Sequence, residues 1–366
     1  MDPKISVIVP VFNIIPRKQF LLPTLRSVYS QTLVKQIKVY LVDDGSSDGT
    51  SEYIQNLSKD EFPNLEIVLL PQNVGKHQLL NQIVTKYVST DYFVILDSDD
   101  LLMPTAIEKM LKLMESNETL SCVKTGLAVL SRGQIRVKSI VPQNPIFYRY
   151  YIHNFGAFIG NTGSLWKTAV FKTTIREFDP NTEIGKLSRL TCEDGLRLYL
   201  MDPKDWNFDA VDEPLLIYRM HDLQWTADKT NMSRCDGLLD SLFRSKLNPQ
   251  QLLINPEDIF DEKNLHSINK HLYNHLLSCL IVLWKKREWT LFVDELRLFF
   301  RGIPKMPWLY YVVLVWMFIL LLRHPRSLGY QILEKLRWWF PRLLMAEIKI
   351  SKLESKNFNH GSEIFY

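Results

Sequence analysis

Four short apolar runs in the first hundred residues each stop at polar or acidic residues. Ile5, Val7, Ile8 and Val9 lead into Pro10, a β-branched run that reads as a strand buried on both faces. Residues 37–42 repeat the pattern and break off into DDGSSDGT, two acids and a turn rich in Ser and Gly. Between these runs, Leu21, Leu25 and Val28 recur at helical spacing, so the unit is strand, helix, strand and implies parallel pairing. LEIVLL (65–70) predicts a third strand, 76–87 a helix, and DYFVILDSDD a fourth strand ending in acids. The alternation is that of a nucleotide-binding α/β sheet.

Further on, 105–115 predicts a helix, and 121–130 and 134–141 are strand-like. Three segments then supply the second wall of a cleft: FIGNTGSLWKTAVF is Gly-rich and then helical, TCEDGLRLYL opens a helix with two acids, and PLLIYRMH is a strand ending in histidine. In open parallel sheets, ligands bind beyond the carboxyl ends of the strands, where Asn13, Asp43 with Asp44, and Asp97, Asp99 with Asp100 stand. Any one of these sites also reads as a plain turn former, but all three together point to a site.

Asp97, Asp99 and Asp100 put three carboxylates in four residues, a costly cluster unless a cation is shared. Hard oxygen ligands suit Mg²⁺ or Mn²⁺, and those ions bind substrate phosphates. Strand alternation places Asp97 and Asp99 on one face and Ser98 and Asp100 on the other, with capping of the next helix as the alternative role for Asp100.

SVIVPVFN, VDDGSSDGT, ILDSDD, CEDG and YRMH, spread over residues 4–225, together resemble a family 2 glycosyltransferase of the GT-A fold, with its Rossmann-like, mostly parallel sheet. The resemblance implies a metal-dependent, inverting, hexosyltransferase-like transfer from a nucleotide-diphosphate sugar to an acceptor hydroxyl. It implies that Pro10, Phe12, Asn13, Asp43 and Asp44 hold the nucleotide, with Asp44 accepting from a base N–H. It likewise implies that Asp97, beside Ser98, meets the ribose or sugar and shares the metal with Asp99 and His221. Asp194 corresponds to the catalytic base, with Glu193 second, and Gly163, Ser164 and Trp166 to the donor and acceptor cleft. Outside the resemblance, acids at 193 and 194 read as complements of a helix dipole, His221 as structural and Trp166 as core.

Two departures stand out. Relatives often read NxGxSxARN, whereas NVGKHQLLN puts Leu80 in the place of an arginine and His77 in that of a serine, leaving Lys76 or His77 to supply the charge. After His221, DLQWTADK replaces a Ser-containing loop.

At 366 residues, 46% hydrophobic and 23% charged, the chain has room for a large domain and an appendage, and excludes disorder and repeats. Four dispersed cysteines without a CxxC pair exclude a zinc cluster or disulfide framework and fit a reducing setting. The net charge of +4 is uneven: residues 281–350 carry 12 basic and 5 acidic side chains beside the longest apolar run. That mixture of Trp, Leu, Lys and Arg suits an anionic lipid surface better than nucleic acid. The expected division is a catalytic domain over 1–230, a linker over 231–264, a helical region over 265–350 and a polar tail over 351–366. The run at 306–322 is short for a span, so a peripheral helix, a single short span and a helical subdomain packed on the core all remain open. With no signal peptide evident, the expected location is the cytoplasmic face of the inner (plasma) membrane.

The expected partners are a nucleotide-sugar donor, by default a UDP-sugar, and a glycan or lipid-linked acceptor, in polysaccharide, glycolipid or envelope glycan assembly. Missing GxxxxGK[ST] and GxGxxG patterns exclude a P-loop kinase and a Rossmann dehydrogenase. The rival from another class is a non-catalytic, membrane-attached binding protein that keeps the fold.

Overall fold

The computed structural model describes residues 2–131, 133–138, 162–179, 181–189, 193–202, 205 and 207–224. The expected linker, the helical region with its 306–322 segment and the polar tail all lie outside the described residues. Among those described, no helix is long and apolar enough to cross a membrane.

The elements run β1 (Ile5–Val11), α1 (Leu21–Tyr29), β2 (Ile37–Asp43), α2 (Thr50–Gln55), β3 (Leu65–Leu69), α3 (Lys76–Lys86), β4 (Tyr92–Ile95), β5 (Leu101–Leu102) and α4 (Ala106–Ser116). They continue with β6 (Cys122–Ser131), β7 (Gln134–Lys138), β8 (Ser164–Lys167), α5 (Thr168–Lys172), α6 (Glu183–Arg189), α7 (Glu193–Leu200) and β9 (Phe208–Met220). A 3₁₀ helix, Ile15–Phe20, joins β1 to α1. The Gly-rich segment before α5, expected to pass directly into a helix, first forms β8.

The described strands make one sheet in the order β3-β2-β1-β4-β8-β6-β9-β5, with β7 on β6. β1 pairs in parallel with both β2 and β4, while β8 runs antiparallel to β4 and β6. The chain builds outward from β1 to β3 and then returns to lay β4 on the other side of β1. This reversal opens a crevice at the carboxyl ends of β1 and β4, where open α/β sheets bind ligands. β9 runs parallel to β6, so its end at Met220 delivers His221 to the same edge.

The central strands are apolar on both faces because helices cover both. Ile5, Val7 and Val9 pack with Leu21, Leu25 and Val28 of α1 and with Ile107 and Met110 of α4. α4 succeeds as a helix through its apolar stripe, Ala106, Ile107, Met110, Leu111 and Met114, at spacings of three and four.

The turn after β2 requires a glycine. Gly45 has φ +66°, and a Cβ there would stand 2.3 Å from the carbonyl carbon of Gln72. We expect Gly45→Ala to lower unfolding stability by more than about 2 kcal/mol. Gly133→Ala is the control, equally left-handed at φ +72° but with open space around it, and should cost about 1 kcal/mol. Urea unfolding of both variants measures the difference.

Candidate active site

β4 ends at Ile95, and the chain turns through 97–100, closed by the Asp100 N–H donating to the Asp97 carbonyl at 3.1 Å. This turn replaces the expected strand alternation. Ligand oxygens of Asp97, Asp99 and Asp100 therefore converge, all within 4.8 Å of one another. Asp100 is fully buried, and its oxygens accept from the Arg219 backbone N–H and the Thr162 hydroxyl, each at 3.1 Å. It does not cap α4, whose N-cap is Thr105 with no side-chain hydrogen bond. Burial first, then the charges of Asp99 and Asp97, push the Asp100 carboxyl well above its ordinary value.

Asp99 behaves in the opposite sense. Burial pushes its carboxyl up, but the hydrogen bond and charge of His221, then Arg17, outweigh it and leave it lowered. His221 Nε2 lies 3.1 Å from Asp99 Oδ2, and its ring stacks on Phe20 with centroids 4.4 Å apart. The donor set fits a hard divalent cation: carboxylate oxygens converge, the Asp97 and Asp99 side chains are 33% and 20% exposed, and the like charges gain most from a shared positive ion. Ser98 is buried, and its carbonyl accepts from the Thr24 hydroxyl at 2.9 Å.

The second pair of acids opens α7. Glu193 and Asp194 are both buried, and Lys76 at the start of α3 reaches toward them. Its Nζ is 2.6 Å from Asp97 Oδ1 and 2.9 Å from Glu193 Oε1. Burial pulls the lysine down, yet Asp97 and Glu193 outweigh it, so Lys76 titrates well above its usual value. Burial and then Glu193 push the Asp194 carboxyl well above its usual value, against the opposing charges of Lys76 and Lys124. Lys124, buried on β6, is itself drawn down to about 8 by burial.

At the end of β1, Pro10 is half-buried and Phe12 is 38% exposed, open to the crevice edge. The other nucleotide-side residues serve the loop. Asn13 accepts from the Ser47 N–H at 2.9 Å, and its own N–H donates to Ser46 Oγ at 2.8 Å. Asp43 is fully buried and accepts from the Ser46 N–H at 3.1 Å and the Ser51 hydroxyl. Asp44 is buried, and its oxygens accept from the Val74 and Gly75 N–H groups at 2.8 and 3.0 Å. Burial raises its carboxyl, against those two amides.

The remaining candidates lie deeper in the fold. Trp166 is core, edge-on to Phe171 and Phe208 at 5.5 and 6.1 Å, because β8 is an interior strand between β4 and β6. Ser164 opens that strand and Gly163 precedes it, both buried, with the Gly163 N–H donating to Ile95 O at 2.7 Å. His77 supplies no charge: fully buried beside Arg197, it is pushed down to about 2 by burial and then by the guanidinium. Lys76 is the residue that carries the charge.

Sequence reasoning missed Thr24, Thr162 and Arg219. Arg219 donates to the Asp99 carbonyl, and to Phe20 O and Thr24 Oγ1 at 2.7 Å each. Thr162 accepts from the Asp97 N–H at 3.0 Å while bonding Asp100. The signal for Arg219 was its place two residues before His221 on a strand aimed at the acids.

Residues 6–172 match the model of glycosyl transferase family 2. The protein EpsE of Bacillus subtilis is 27% identical over 143 residues, 39% of this chain and 50% of its own length. An N-acetylglucosaminyltransferase of Rhizobium leguminosarum is 35% identical over 108 residues, 30% of this chain and 24% of its own. The chain thus spans half or less of the curated relatives it matches. The solved structure of a mannosyltransferase from Pyrobaculum calidifontis in complex with GDP-Man and Mn²⁺ aligns at TM-score 0.53 and 14% identity, covering 95% of this chain and 89% of that one. It shares the α/β GT-A fold.

The buried neutral His77 makes stability pH-dependent. Its folded value, about 2, lies below the ordinary 6.5, so the unfolded chain binds a proton the folded one refuses. Stability is therefore lost as pH falls below the unfolded value, by about 1.4 kcal/mol per unit. Denaturant unfolding at pH 7 and pH 5 should show the parent losing about 2 kcal/mol more than His77→Gln.

Proposed function

We propose that the chain is a metal-dependent, inverting glycosyltransferase, transferring a hexose-type sugar from a nucleotide-diphosphate donor, a UDP-sugar by default, to an acceptor hydroxyl. The observation that carries this reading is the meeting at one crevice of the Asp97–Asp99–Asp100 cluster with His221 and of the Glu193–Asp194 pair, linked by Lys76. The match of 6–172 to the glycosyl transferase family 2 model and the GT-A fold support it.

Asp99, with Asp97 and His221, would hold Mg²⁺ or Mn²⁺; a bound divalent ion supplies charge neutralisation for the departing diphosphate. The Mn²⁺ and GDP-Man named for the Pyrobaculum structure support a cation and a nucleotide sugar here. Pro10 and the open face of Phe12 offer an apolar wall to a base. Asp194 takes the proton of the attacking hydroxyl as the acceptor oxygen bonds to the anomeric carbon and the bond to the diphosphate oxygen breaks on the opposite face. A raised carboxyl suits that task, since a base with higher affinity for the proton accepts it more readily. The acceptor we favour is a glycan or lipid-linked sugar in envelope polysaccharide or glycolipid assembly. The basic, aromatic segment 281–350 would hold the enzyme at the cytoplasmic face of the membrane.

The test is nucleotide release from a panel of nucleotide sugars with Mn²⁺ or Mg²⁺. Asp99→Ala should abolish metal-dependent donor binding. Asp194→Asn should keep binding but slow turnover by about 10²- to 10⁴-fold. Since Asp194 works unprotonated and its carboxyl is raised, turnover should fall on acidification through a midpoint above the ordinary carboxylate range, about 4. A protein that binds partners unchanged in Asp99→Ala and releases no nucleotide from any donor would instead be the non-catalytic relative.

A further inference from the structure

Lys76 has two acidic partners that belong to different halves of the site. Asp97 comes from the end of β4 and Glu193 from the first turn of α7, nearly a hundred residues later, yet one ammonium group contacts both, at 2.6 and 2.9 Å. The Glu193 side chain is 1% exposed. Lys76 is thus the ion-pair partner of an acid withdrawn from water, and removing one member of a buried pair is strongly destabilising.

The same two helices are joined a second time, deeper in the fold. Arg197, fully buried, places Nη2 3.3 Å from His77 Nδ1, donates from Nη1 to Thr174 Oγ1 at 2.9 Å, and lies over the Phe171 ring at 4.0 Å. Glu193 and Arg197 are four residues apart and so share one face of α7, while Lys76 and His77 are adjacent at the start of α3. The lower contact sets the distance between the helices. The upper one, through Lys76, ties the first turn of α7, which carries Asp194, to the donor-side acid.

Resting on the function proposed above, we infer that Lys76 is a positioning residue: by bridging Asp97 and Glu193 it fixes Asp194 relative to the donor side, so that base and leaving group keep one geometry. A second role, as a direct ligand of the donor diphosphate, makes a different prediction.

Lys76→Met, Lys76→Arg and Glu193→Gln in the full chain separate the two, read by UDP binding with Mn²⁺, donor turnover and amide hydrogen exchange over α7. In Lys76→Met, positioning predicts turnover lowered by about thirtyfold or more, UDP affinity within about threefold of the parent, and faster exchange at 195–198; Lys76→Arg should recover most of the turnover. Glu193→Gln, with the lysine intact, should also speed exchange at 195–198, which keeps the test available if Lys76→Met fails to fold. UDP affinity falling in step with turnover overturns the inference in favour of a phosphate ligand, and unchanged exchange in both variants overturns it outright. Failure of the parent to bind UDP or release nucleotide from any donor counts against the proposed function alone, since the exchange measurement still reads the bridge.

Discussion

Repulsion among Asp97, Asp99 and Asp100 is the constraint around which this edge of the sheet is arranged. Three carboxylates with oxygens within 4.8 Å persist only where positive groups and donors surround them. Lys76 meets Asp97, His221 meets Asp99, and the Arg219 N–H with the Thr162 hydroxyl meets Asp100. These partners come from α3, from β9 and its end, and from the turn before β8, so satisfying one short turn pins several distant segments. Arg219 extends the lock by bonding Phe20 and Thr24, and its guanidinium lies over the Phe20 ring, on which His221 stacks.

A second, quieter network supports the crevice from the β2 side. Asp48 accepts from the N–H groups of Ile15 and Thr50, each at 3.0 Å, while the Ile14 N–H donates to Thr50 Oγ1 at 2.9 Å. With Asn13, Asp43 and Asp44 also committed to backbone groups, DDGSSDGT serves mainly as a clamp between the ends of β1 and β2 and the entry to α3. Its acids shape the pocket by holding backbone. This division leaves the more exposed carboxylates of Asp97 and Asp99 for ligand chemistry.

The parallel strands and their helices were legible in the chain because each rests on a local pattern: runs such as ISVIVPV are apolar at every position but Ser6, and α4 repeats at three and four. The concentration of acids at strand ends was legible for the same reason. Trp166 reads from the sequence as core or as cleft, and the choice is made by β8 lying between β4 and β6, a pairing across more than forty residues. The neutrality of His77 was not legible, since it follows first from burial and then from Arg197, which arrives 120 residues later.

By itself, then, the amino-acid order determined an α/β sheet with carboxylates gathered at its carboxyl edge, since strand length, helical period and turn composition act between near neighbours. Only the tertiary structure decided which carboxylates face a ligand and which hold backbone. It made a turn of 97–100, closed Asp44 over the α3 loop, and set Lys76 between acids from opposite parts of the chain. The physical reason is that a carboxylate's role follows from the donors and charges around it, and these come from wherever the fold brings them.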